Sequence, residues 1–167
     1  MYLTIISMLV IAIYTVAVCI KQRGIPYSIS ATFYKLNHPY WFKVTMWFTA
    51  GLLLPAVLGT SKTGTEWMAF LACAGMFFIG ATPNFKDEFE GKVHDVGAVL
   101  CVADSQLWVA FNNHWYLLIW VIWLVYTVVY MSRHVSDSII SDFLRTRPMF
   151  WVEVVALITT YLVIFLK

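Results

Sequence analysis

Residues 2–20 read Tyr2-Leu-Thr-Ile-Ile-Ser-Met-Leu-Val-Ile-Ala-Ile-Tyr-Thr-Val-Ala-Val-Cys-Ile20, nineteen positions without a charge, followed at once by Lys21 and Arg23. As a helix this run reaches about 28 Å, close to the ~30 Å of hydrocarbon in a bilayer. No basic residue precedes it and no small-residue cleavage site follows it, so it reads as a retained anchor and not as a secretory leader.

Working outward, the pattern recurs at 41–58, 67–82, 96–111, 116–131 and 150–166, with nearly all Lys, Arg, Asp and Glu confined to the stretches between. The chain is 61% apolar and 12% charged, against ~45–50% and ~25% in soluble domains. A single all-α domain over 1–167 is expected: a polytopic transmembrane bundle of six helices. Several runs are short for a full crossing and must borrow a turn from their flanks. Trp41, Trp67, Trp115, Tyr116, Tyr130 and Trp151 fall at the predicted borders, where amphipathic rings prefer to sit. The longest loop has about 20 residues, too few for a core of its own.

Nine of the eleven Lys and Arg lie in the loops after runs one, three and five: Lys21, Arg23, Lys35, Lys43, Lys86, Lys92, Arg133, Arg145 and Arg147. Lys62 and Lys167 stand on the other side. The positive-inside rule then places the odd loops in the cytoplasm and both termini outside.

Several classes drop out. A net charge of +2 with dispersed basic residues gives no nucleic-acid surface. Cys19, Cys73 and Cys101 sit inside apolar runs, with neither disulfide nor metal-ligand spacing. There is no intramembrane lysine for a Schiff base and no intramembrane histidine pair for haem, so no cofactor is expected.

The loops carry structure of their own. In 28–36, Ile29, Phe33 and Leu36 recur at helical spacing and Ser28 or Ser30 can cap, so a short interfacial helix is expected. Thr82-Pro83 suggests a cap and first position of another, with Phe85 and Phe89 on its membrane face and Glu88 and Lys92 paired. In 132–148, Val135, Ile139, Ile140, Phe143 and Leu144 define a third, with Arg133, Arg145 and Arg147 available to anionic headgroups. Pro55 should kink the second run or end it early, and 59–66 reads as a plain polar turn.

Run three is rich in small residues. In run four Gly97, Cys101 and Ser105 form a small-xxx-small series, which makes this helix central, whereas run five, with Thr127 as its one conventional polar residue, belongs on the rim. Asp104 is the one acidic residue near the middle of a run and a functional candidate on that ground. As a polar tie it would meet Thr49, Tyr14 or Tyr161 on a neighbouring helix. Ser28, Ser30, Tyr34, His38, Asn84, His94, Asp95, His134, Asp137, Arg147 and Glu153 gather on the cytoplasmic side, where Glu153 would pair with Arg145 or Arg147. His38, His94 and His134 lack metal-motif spacing, so no metal site is expected. His94 caps or bonds neighbouring loops, or acts as a general base with Asp95 or Asp104.

Ser28-Ile-Ser-x-x-Phe-Tyr34 ahead of a run, a small-residue run closing at Thr82-Pro83, and His94 opening the next with Ala98 together resemble uncharacterised six-helix bacterial integral membrane proteins. These in turn are distantly similar to membrane proteins of the DRAM and GPI-anchor-remodelling type. The likeness covers about 26–108 and departs in the last two runs. It implies an α-helical bundle in a bacterial inner membrane with functional polar residues on one face, and no particular reaction.

The favoured expectation is a protein that binds or organises membrane lipid, or a membrane partner, through Ser28, Ser30, Tyr34, Asn84, His94 and Arg147, with Asp104 and Ser105 within the packed centre. The alternatives are a lipid hydrolase or transferase using His94 with Asp95 or Asp104, and a proton- or ion-coupled transporter using Asp104. A homo-oligomer is left open.

Overall fold

The computed structural model describes residues 1–134 and 138–166; Val135, Asp137 and Lys167, which entered the sequence reading, lie outside them, as does Ser136. Seven α-helices follow one another: α1 Tyr2–Gln22, α2 Tyr40–Thr60, α3 Glu66–Ala81, α4 Glu88–Asn113, α5 Ile119–Arg133, α6 Ile139–Arg145 and α7 Pro148–Phe165. Two 3-10 turns, Ser30–Lys35 and His114–Leu118, complete the elements, and no strand occurs among the described residues. Among the described residues four segments are long and apolar enough to cross a membrane: Tyr2–Gln22, Tyr40–Thr60, Glu88–Arg133 and Pro148–Phe165. Glu66–Ala81 is equally apolar but shorter.

The segment Glu88–Arg133 is not one rod. Trp120 Nε1 donates to Gln106 Oε1 at 2.9 Å, whereas fourteen residues of continuous helix would hold their Cα atoms about 21 Å apart. The chain folds back after Asn113, whose φ of −158° and ψ of 89° leave the helix. The following 3-10 turn supplies the length that α5 itself lacks.

Backbone contact sets the tightest seam. A Cβ on Gly75 of α3 would stand 2.5 Å from the Gly97 carbonyl oxygen and the Cys101 amide of α4, and one on Gly97 would meet Gly75 O at 3.0 Å. Only glycine on both sides permits that approach, the general use of small residues where helices pack in lipid. Gly97 and Ser105 are buried as the small-residue series requires, yet α3 and not α4 is the more enclosed of the pair. On α5 only Thr127 is buried. Phe42, Met46, Ala50, Met76, Trp108 and Val109 join the helices in one core.

Polar groups close the bundle between distant parts of the chain. Ser7 Oγ donates to Thr49 O at 2.8 Å. Its single proton being committed, the 2.7 Å contact with Tyr161 must be donated by the tyrosine.

Several local expectations change. No helix starts at Pro83: residues 82–87 form a buried-proline turn, and Asp87 caps α4 by accepting from Phe89 N and Glu90 N. A carboxylate with two amides to satisfy is the stronger cap. Glu88 and Lys92 pair at 2.9 Å as expected. α2 runs through Pro55 to Thr60 without ending early. The 59–66 connection is more than a plain turn, because Asn112 Oδ1 accepts from Lys62 N, Asn112 Nδ2 donates to Thr65 and Trp108 Nε1 donates to Ser61.

Candidate functional site

The Lys- and Arg-rich loops meet at one end of the bundle, here called the basic end. The segment 28–36 forms the 3-10 turn Ser30–Lys35 instead of an amphipathic α-helix, and it enters the bundle with Ser28, Ile29, Ser30 and Thr32 buried. Ser28 provides the expected cap, accepting from Ala31 N at 2.9 Å. Three neighbours hold the turn. Tyr27 O accepts from Phe150 N of α7. Glu153 of α7 accepts from the Ile29 amide and from Ser30 Oγ. Tyr14 of α1 donates to Thr32 Oγ1, whose own proton goes to Ile29 O. Glu153 therefore straps the first loop to the last helix, and the expected pairing with Arg145 or Arg147 is replaced. The reason is that buried amides demand an acceptor more strongly than exposed guanidinium groups do.

Beside the turn lies a second group. Tyr34 hydroxyl donates to Asn84 Oδ1 at 3.2 Å and accepts from Lys86 N at 2.8 Å. Its ring meets Phe85 edge-on, and Lys86 Nζ stands 4.6 Å from its centroid, a cation–π geometry. Phe85 touches the imidazole of His94, which is 4% exposed. His94 Nδ1 donates to Thr82 O at 2.8 Å, so the ring closes the carbonyl end of α3. Asp95 is exposed on the same helix.

The named candidates thus divide. Tyr34, Asn84 and His94 come together; Ser28 and Ser30 belong to the strapped turn; Arg147 stands apart at the start of α7, exposed and left-handed at φ 57°. His38 and His134 do not join His94. His134 instead stacks on Tyr130. Among the described residues no three of His, Cys, Asp and Glu are grouped to hold a metal.

Asp104 is 7% exposed, but it has no hydrogen-bond partner among the described residues. Tyr14 and Tyr161, two expected donors, are committed to Thr32 and Ser7, and Thr49 Oγ1 is itself unpartnered. The polar tie of α4 is Gln106. Its Nε2 reaches Ser105 Oγ and Ala156 O, while its Oε1 accepts from Trp120 Nε1 and lies 3.0 Å from Thr159 Oγ1. A neutral amide offers donors and acceptors without an ionic desolvation cost, and Gln106 lies about 200° round the helix from Asp104. Gln106 and Ser105 being adjacent to Asp104 was the available signal.

Inside the bundle a cavity of about 80 Å³ runs from Trp108 towards Ser30 and Glu153, with Ser105 and Thr160 among otherwise apolar walls. At the basic end a wider groove of about 600 Å³ lies between Tyr130 at the end of α5, α6, and Arg147. Tyr130, Ser138 and Ser141 are polar groups there that the sequence reading did not assign to a site, beside Arg145, which it offered to anionic headgroups.

No protein-family model, curated protein or solved structure matches the chain.

Proposed function

We propose that this is an integral membrane protein of six crossings, α1 to α5 and α7, that binds or organises lipid or a membrane partner through its basic end. On this reading the charge bias favours the cytoplasm for that end and the outside for both termini, and the membrane is a bacterial inner membrane. One observation carries the reading: α6 leaves Ile139 78% and Ile140 71% exposed, with Phe143 and Leu144 also exposed, directly beside Arg145 and Arg147. A short helix that offers four apolar side chains and adjacent guanidinium groups matches the boundary between acyl chains and headgroups. The exposed apolar surface of α5 continues that face into the hydrocarbon.

The hydrolase and transport readings gain less. His94 Nδ1 is held by a backbone carbonyl, Asp95 is exposed, and Asp104 has no hydrogen-bond partner among the described residues to which a proton would pass.

Thermal unfolding of the detergent-purified protein, with and without added phospholipid, tests the proposal. A rise in Tm with lipid is expected, since a ligand of the native state stabilises it by mass action. No rise, together with no phospholipid in an extract of the purified protein, would overturn it. A reporter fused to the C-terminus should be active only on the outer side.

A further inference from the structure

The groove beside α6 has the dimensions and chemistry of a single headgroup site. Its walls carry Arg145 from the end of α6, Arg147 from the first residue before α7, the phenol of Tyr130 and the hydroxyl of Ser141, with Ile140 and Leu144 between them. Arg145 is only loosely engaged, 3.9 Å from Asp142 Oδ1, and most of its side chain is exposed. Arg147 is exposed, and the left-handed backbone at this position sets it apart from both helices. Two guanidinium groups flanking one groove offer several fixed N–H donors for a phosphate.

We propose that the groove between Tyr130, α6 and Arg147 binds the phosphate of an anionic glycerophospholipid. The assignment rests on the lipid-binding reading above and gives it a headgroup class. The occupant is a lipid and not free phosphate because the groove opens beside Ile139, Ile140 and the exposed face of α5, which would accompany acyl chains.

The experiment is native mass spectrometry of the full chain released from nanodiscs of phosphatidylcholine containing phosphatidylglycerol. The wild type should retain phosphatidylglycerol over phosphatidylcholine. The double variant Arg145→Gln, Arg147→Asn should lower that retention about thirtyfold, the scale expected for losing two juxtamembrane cations. Asparagine is chosen at 147 because it tolerates the left-handed conformation without charge. Lys35→Gln, which removes an exposed basic residue of the same end outside the groove, should leave retention within about twofold of wild type. An equal loss in Lys35→Gln would show a diffuse charge effect and overturn the site. Displacement of the lipid by inorganic phosphate at matched concentration would overturn the lipid assignment. If the wild type retains no lipid of either kind, the broader lipid-binding reading fails; if it retains both without preference, only the groove fails.

Discussion

The turn Ser30–Lys35 and helix α6 sit at the same end of the bundle, each introduced by a serine cap, Ser28 and Ser138 respectively. The first is drawn into the protein, and the second lies on its outside. Their backbones explain the difference. A 3-10 turn satisfies few of its own amides, so Ile29 N–H and the Ser30 hydroxyl need an outside acceptor, and Glu153 supplies it. α6 is a regular helix that bonds internally after Ser138 accepts from Ser141 N, and its apolar side chains can face lipid without further partners. Thus the depth of a connecting segment follows its unpaired backbone groups more closely than its hydrophobicity.

The largest expected effect breaks the strap. Glu153→Leu should destabilise the protein by about 3 kcal/mol, through orphaned donors at residues 29 and 30, measured by reversible denaturation in detergent. Hydrogen exchange across 28–35 should accelerate at the same time while α6 is unaffected; unchanged exchange there would remove Glu153 as the cause. Glu153→Gln keeps an acceptor and should cost less, by about half.

A smaller loss, about 1 kcal/mol, is expected from Tyr34→Phe, which deletes the contacts to Asn84 and Lys86 while keeping the ring on Phe85. Arg147→Gly tests the opposite sign: relief of the left-handed residue should stabilise by roughly 0.5–1 kcal/mol, although it removes a charge from the proposed headgroup groove. Least affected should be Ile139→Ser, within about 0.5 kcal/mol in detergent. A loss comparable with that of Glu153→Leu would mean that α6 is packed into the fold after all.

Helix positions were legible because apolar length and the charges that bound it are local properties. Tyr2–Gln22, Tyr40–Thr60 and Pro148–Phe165 each lie within about two residues of the expected run. The parity of the runs also brought Tyr34, Asn84 and His94 to one end. The failures are of two kinds. Thr82-Pro83 mimics a helix start, but Asp87 competes as the better cap, and ranking two adjacent caps needs the three-dimensional turn. Glu153 with Ile29, and Gln106 with Trp120 and Thr159, are pairings across folded helices. Sequence periodicity assigns a residue to a face of its own helix, and says nothing of which face of another helix meets it. Asp104 drew attention by its charge, while the hydrogen bonds went to the uncharged neighbour that could be satisfied from both sides.

The Ser7 cluster has a consequence for synthesis. Its proton goes to Thr49 O in α2, which emerges soon after α1, but its remaining contact comes from Tyr161, 154 residues later in the chain. At a translation rate of about 5–20 residues per second, the first helix waits roughly 8–30 s in the membrane for that partner. Membrane insertion must therefore keep α1 and α2 paired and accessible until α7 arrives, and a ribosome stalled before Tyr161 would leave Ser7 without its second partner.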